Sequence, residues 1–417
     1  MTSSAGRRAG IFYGWWVVLV SATGLCFGFA PIVVYSFSVF IKPLTQEFHA
    51  SRGSISLGFT LANLMVSFSS PLTGRLVDRF GARKVILFAT VFLSLLFVSA
   101  RFLPVRLWAL YTFYGLLGLI GTAAAPVPYG KVVSRWFDRR RGLALGFTMC
   151  GIGLGAIVMP ALSLRLVAAF GWRSAYAILG AIVFVVCMPV VGLFMKDSPE
   201  DIGLLPDGAT KLLQPLDENY AIEGMAWRDV RTTSTFWLII AAISLVGASV
   251  HACVVHMAPL LSDAGASPQR VALIITFLGM ALLLGRLGTG FFLDRFFAPR
   301  VAMIVYIATA CGIALLRVSA TSGFIYFAAF LVGLGMGAEV DILAYLISRY
   351  FGMHSFGELY GYGFAAFALA GALGPWLMGL SFDHYGSYSA ILVALVLITL
   401  AAVALLAKLG PYRYYHG

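Results

Sequence analysis

Long apolar stretches alternate with short polar turns along the whole chain. Twelve apolar runs are readable, at about 14–40, 54–74, 85–100, 107–133, 142–169, 173–195, 233–260, 270–293, 300–317, 322–347, 357–381 and 387–408. A helix needs roughly 20 residues to cross a hydrocarbon core about 30 Å thick. Longer runs tilt or project from it. The pattern predicts an all-α membrane protein of twelve transmembrane helices. The eighth run is the informative one, because it encloses Arg286. Asp294 and Arg295 follow eight residues later, which at 1.5 Å per residue puts Arg286 roughly 12 Å from that turn. A cation so near the middle of a bilayer is costly and faces a cavity or a partner.

Composition supports this reading. Of 417 residues, 60% are hydrophobic and 11% charged, with a mean hydropathy of +0.92. In a soluble domain about a quarter would be charged. The net charge of +12 would suit nucleic acid, but the basic residues sit in turns between apolar runs. Membrane topology explains that placement, and no nucleic-acid partner is expected. One set of turns collects Arg75, Arg79, Arg83, Lys84, Arg135, Arg139, Arg140, Arg141, Arg295, Arg300 and Arg349, with Lys408 and Arg413 in the tail. The opposite set is sparser: Lys42, Arg52, Arg101, Arg106, Arg165, Arg173, Arg270 and Arg317. The positive-inside rule assigns the first set and both termini to the cytoplasm, hence a multi-pass protein of the cytoplasmic (inner) membrane. The run after Arg7 and Arg8 is too long for a signal-peptide core and reads as a retained first helix. Cys26, Cys150, Cys187, Cys253 and Cys311 all lie in apolar runs without ligand spacing. They read as small hydrophobes, with no metal or cofactor implied.

The chain repeats itself. Pro43 and Pro259 are 259 − 43 = 216 apart, as are Gly74 and Gly290, and Asp78 and Asp294. Arg135 and Arg349, in SRWF and SRYF, are 349 − 135 = 214 apart. Two parallel copies of six helices are the plan of a group of secondary transporters. Residues 1–195 and 232–417 are the expected halves, joined by a polar cytoplasmic linker over 196–231.

The second-to-third turn reads Gly74-Arg75-Leu76-Val77-Asp78-Arg79-Phe80-Gly81-Ala82-Arg83-Lys84. This resembles the signature loop of the major facilitator superfamily, glycine–x–x–x–aspartate–arginine–x–glycine–x–arginine–basic. Glycine admits a close helix approach, and Asp78 can pair with basic groups at neighbouring helix ends. The second copy keeps Gly290, Asp294, Arg295 and Arg300 but has Phe297 and Pro299 in place of Gly81 and Arg83. Tyr13-Gly14-Trp15-Trp16-Val17-Val18 resembles the opening of monocarboxylate porters, as does Tyr35 to Phe40 followed by Lys42-Pro43. Arg286 stands where those porters and the oxalate–formate exchangers carry a cationic substrate residue. The chain departs from them in having Ala123, Ala124, Ala125 and Pro126 in span four, and Glu339 and Asp341 in span ten. Span five carries Gly146, Gly151, Gly153, Gly155 and Pro160, and span eleven Gly361, Gly363, Gly371, Gly374 and Pro375. Such runs are linked with exchangers, and small residues also let helices pack closely. Pro126 and Pro128 kink span four or free carbonyls near Thr122 and Ala124 for a ligand; the kink is preferred.

Three charges stay deep in the spans. Arg286, Glu339 and Asp341 share a depth, but Glu339 and Asp341 lie about 200° apart around one helix. One pairs with Arg286 and the other faces elsewhere. Two readings remain open: a structural salt bridge, or a substrate site in which Arg286 grips a carboxylate with its planar fork while an acid holds it in reserve or carries a proton. His251 is the preferred cavity histidine, and His256 lies nearer the outer end. Tyr35, Asn63, Tyr129, Tyr345 and Tyr362 are further lining candidates. The leading expectation is a monomeric proton symporter of a small organic anion, a monocarboxylate by resemblance. The alternatives are an anion exchanger without proton coupling and a broad-specificity exporter. No nucleophile–base pair, zinc spacing or phosphate loop is present, so an enzyme is not expected.

Overall fold

The computed structural model describes residues 12–208, 224–318 and 322–413. Its named elements are all helices, and the described residues form no strand beyond one bridge between Gly224 and Gly352. The first span runs as α1 (Gly14–Cys26), a π-helical turn (Ala30–Tyr35) and α2 (Phe37–Phe48). Pro31 has no N–H to continue the α-helical ladder, and a widened turn absorbs the gap. Next come α3 (Arg52–Phe80) and α4 (Ala82–Ser99). The fourth span divides into α5 (Leu107–Gly121), a 3-10 turn (Thr122–Ala124) and α6 (Pro126–Trp136). Ala125 there is extended, at ψ 179. The Thr122 carbonyl accepts the Ala125 N–H, and the Ala124 carbonyl backs onto Gly28. The two prolines therefore make a kink rather than a row of free carbonyls.

The next element, α7 (Arg141–Phe194), has 54 residues, which as one straight helix would reach about 80 Å. Gly171 breaks it, with φ 75 and ψ 164, a backbone position that glycine alone adopts without strain. Both ends of α7 return to one place. Tyr13 donates its hydroxyl to the Phe194 carbonyl at 2.8 Å and packs on Trp136, just before Arg141. Among the described residues, eleven helical segments are long and apolar enough to cross a membrane, and the Gly171 turn divides one of them into two spans. After a short helix α8 (Trp227–Val230) come α9 (Ser234–Asp263), α10 (Pro268–Leu293), α11 (Ala298–Val318), α12 (Phe324–Phe351), α13 (Phe356–Tyr385) and α14 (Ser389–Leu406).

Two six-helix halves result, α1–α7 and α9–α14. Glycines set how they meet. On α7, Gly142 and Gly146 abut the carbonyls of Gly290 and Arg286 across the seam, while Gly151 and Gly155 abut Ala22 and Cys26 on α1. On α13, Gly357 and Gly361 abut Gly74 and Ser70 on α3, and Gly374 abuts Ala248 on α9. Each crossing helix thus touches the other half near one end and its own half further along. That end bears the arginine-rich turns, and the inter-half hydrogen bonds and ion pairs of the described residues gather there. Toward the opposite end the first half fills its own core, with Phe40 stacked on Tyr176 and Tyr176 bonded to Tyr114 at 2.8 Å. Both described portions of the 196–231 stretch dock. Asp207 accepts the N–H groups of Asp138, Arg139 and Arg140, Met225 donates to the Phe351 carbonyl, and Trp227 stacks on Tyr362.

Candidate functional site

The site is built on the close contact of α10 with α12. A Cβ at Gly337 would stand 2.2 Å from the Leu282 carbonyl, one at Gly333 2.4 Å from that of Leu278, and one at Gly285 2.5 Å from that of Leu334. Small residues let the two backbones touch. Arg286 Nη1 then lies 3.8 Å from Asp341 Oδ1, with side chains 6% and 0% exposed. Glu339, about 200° away around α12, turns to α9 and lies 3.9 Å from His251 Nδ1. Glu339 is 1% exposed, whereas the His251 side chain is 29% exposed. His251 Nδ1 also meets the Gly247 carbonyl at 2.9 Å, and its ring lies edge-on to Phe367.

These charges are close but not hydrogen-bonded. Among the described residues, Arg286 Nε and Nη1 and all four oxygens of Glu339 and Asp341 lack a partner. One guanidinium faces two carboxyls. Full ionisation would leave one negative charge uncompensated in a medium where that is strongly unfavourable. The cluster is therefore able to take up a proton or to exchange one anion for another. Tyr35 stands in the fields of Arg286 and Glu339, Cys150 and Tyr360 in those of Arg286 and Asp341, and Tyr306 in that of Glu339. Sequence reading passed over Cys150, Tyr306 and Tyr360. The spacing of Gly357 and Gly361 marks the seam face of α13 and would have pointed to Tyr360 beside them.

The other candidates make their hydrogen bonds and close contacts outside this cluster. Asn63 donates to the Phe59 carbonyl in its own helix. Tyr129 is buried against Gly24 of α1. His256 is held by Tyr388 and the Pro375 carbonyl, within the second half. Tyr345 and Tyr362 belong to the arginine-rich end, where they meet Arg349 and Arg75.

At that end the signature residues form two crossed latches. Asp78 accepts the N–H groups of Gly357 and Glu358 at 2.9 and 2.8 Å, and Lys131 Nζ at 2.7 Å. Asp294 accepts those of Gly142 and Leu143 at 2.6 and 2.9 Å. Each carboxylate thus sits at the start of a helix of the other half, where free N–H groups and the helix dipole favour an anion. Partner positions keep the repeat, since 357 − 142 = 215 and 358 − 143 = 215. Arg75 to Glu358 at 2.7 Å and Arg349 to Asp138 at 2.6 Å add ion pairs across the seam. Gly81, at φ 84, turns the chain between α3 and α4 against Asp197, which also accepts the Arg83 N–H. Arg79 and Arg295 lie over Phe80 and Phe291. Burial pushes the Asp294 carboxyl up to about 6, against the pull of the Leu143 and Gly142 N–H groups and of Arg349 and Arg141. A cavity beside this latch is lined by Asp294, Phe297, Tyr345 and Tyr412, remote from Arg286.

Comparison with known proteins agrees with this architecture. The family model of the Major Facilitator Superfamily matches residues 23–375 and again 257–414. The uncharacterized MFS-type transporter YcxA of Bacillus subtilis is 25% identical over 390 residues, covering 90% of both chains. Human monocarboxylate transporter 11 is 29% identical over 396 residues, covering 90% of this chain and 79% of that one. Among solved structures, the proton:xylose symporter XylE superposes with a TM-score of 0.71 at 14% identity, covering 96% of each chain. FucP in the outward conformation gives 0.66 at 15% identity, covering 94% of this chain and 97% of that one. With two six-helix halves latched by paired signature loops around a buried charge cluster, the chain belongs to the major facilitator superfamily and is a multi-pass membrane secondary transporter.

Proposed function

We propose that this transporter carries a small monocarboxylate-class anion across the cytoplasmic membrane by proton symport, as a monomer. One observation carries the reading: Arg286 is buried mid-helix with Nε and Nη1 unbonded and an acid 3.8 Å away. A planar fork with free donors suits a carboxylate, which would displace Asp341 from its loose pairing. The displaced acid, or Glu339 beside His251, takes the proton that keeps the cluster's charge balanced. Tyr35 and His251 line the approach. Relatives named monocarboxylate transporters and structural neighbours titled proton symporters support the substrate class and the coupling. The arginine-rich end is cytoplasmic by the positive-inside rule, with both termini and the linker on that side. Its closure makes this the outward-facing state. Residues 1–195 and 232–417 then rock as two bodies about the seam glycines.

A thermal-shift screen of small carboxylates on the purified protein tests the reading, because a specific ligand stabilises the folded state. Stabilisation by a monocarboxylate, absent in Arg286→Ala, is expected. A carboxylate that stabilises both proteins equally would remove Arg286 from the site. Proteoliposomes then separate symport from exchange: symport acidifies the lumen as the anion enters, whereas exchange leaves lumenal pH unchanged.

A further inference from the structure

Tyr306 of α11 is fully buried, and its hydroxyl has no hydrogen-bond partner among the described residues. A phenol in such a place normally finds one. The packing of α11 on α12 shows what faces it. Gly312 abuts Leu331 and Ala328, and Gly335 abuts Thr309. The helices are antiparallel, so one turn on from the Thr309–Gly335 contact brings Tyr306 level with Glu339. Glu339 is also the charge whose field reaches Tyr306. Both of its oxygens are unbonded as well. Two buried groups, a donor and an acceptor at one level, are each left open in this state.

We infer that Tyr306 is a second hydrogen-bonding station for the Glu339 carboxyl, used when that carboxyl turns away from the substrate cluster during transport. Glu339 stands between two surroundings. On one side are His251 of α9, Arg286 of α10 and Tyr35 of the first half; on the other is Tyr306 of α11. Asp341 shares α12 but faces Arg286, and α14, which packs on α11, carries no titratable residue. His251 is the partly exposed partner, through which we infer that the proton enters. Tyr306 is the closed one, without charge of its own. A carboxyl resting there is separated from Arg286, which is free for the substrate. Tyr306 is thus a positioning residue, and the inference rests on the proposed proton-carrying role of Glu339.

Infrared difference spectra of the protein in liposomes, taken between acid and neutral buffer, test it. Wild type is expected to show a buried-carboxyl C=O band that vanishes in Glu339→Gln. In Tyr306→Phe the band should remain but move to higher wavenumber, because the donated hydrogen bond is gone. Proton-driven accumulation should fall about tenfold in Tyr306→Phe, the worth of one such bond, with downhill exchange kept. A band present in wild type, absent in Glu339→Gln and unmoved in Tyr306→Phe overturns the Tyr306 station and leaves the coupling role of Glu339 standing. No Glu339 band at all overturns both. If Tyr306 only fills space, phenylalanine fills it as well, and accumulation is unchanged.

Discussion

Asp294 accepts the backbone N–H of Gly142 at 2.6 Å, from one half of the molecule to the other. Its repeat partner Asp78 does the same to Gly357, yet the two latches differ. Asp78 also holds Lys131. The matching position in the second half, 131 + 214 = 345, is Tyr345, so the second latch lacks the counterpart of Lys131. Burial of the Asp294 carboxyl makes its latch pH-sensitive. With its carboxyl raised to about 6 when the end is closed and near the ordinary 3.8 when open and solvated, Asp294 is harder to ionise in the closed state. Its contribution to closure is full below 3.8 and is lost as pH rises through about 6. Distance measurements between dyes on Arg79 and Arg295 positions should therefore show more open molecules at neutral than at acid pH. Asp294→Asn should abolish the dependence. A dependence that survives in that variant would assign it to another group.

The seam glycines give a steric prediction. Alanine at Gly74 would place its Cβ 2.0 Å from the Gly357 carbonyl, and at Gly142 2.3 Å from that of Gly290. Backbone cannot retreat as a side-chain tip does, so the strain reaches at least the 1–3 kcal/mol typical of overpacking. Gly74→Ala and Gly142→Ala should hold the arginine-rich end open and nearly stop transport. Gly279→Ala, with nothing within 4 Å, should leave transport unchanged. Equal rates in all three would mean that the latch face does not close in the cycle.

Arg286 separates folding from transport. Arg286→Ala leaves Asp341 buried without a counter-charge, at a penalty of about 3–5 kcal/mol for a broken buried pair. Arg286→Ala with Asp341→Ala should recover protein yield but not transport. Arg286→Lys should also fail, since lysine keeps the charge and loses the fork. Wild-type carboxylate uptake by Arg286→Ala would make the arginine a strut.

Orientation is checked by labelling. Ile202 is exposed on the portion of the linker that docks beside the α6–α7 turn. Ile202→Cys should react with a membrane-impermeant maleimide only from the cytoplasm. Replacing Asp207 instead would remove three N–H contacts, so it is the poorer reporter. Reaction from outside intact cells would invert the topology.

Local pattern was enough for the architecture. Apolar runs of membrane length, basic turns and the 216-residue offset between Asp78 and Asp294 together specified twelve helices in two halves. Each is a property of near neighbours or of a fixed spacing, which one dimension records in full. Depth was legible too, because rise per residue is constant, and so was the divergence of Glu339 from Asp341. What each side chain meets was decided only in three dimensions. Asp341 turned to Arg286 and Glu339 to His251 because glycines on α10 and α12 set the depth and rotation of that contact. Tyr362 went to the closed end while Tyr360, two residues earlier, faced the cluster, since the rotation of α13 is set by Gly357 and Gly361 against α3. Asp78 and Asp294 found helix starts in the opposite half, a pairing over 279 and 152 residues that no local signal encodes. Helix identity is a short-range property; helix rotation is fixed by which small residues allow which neighbour to come close.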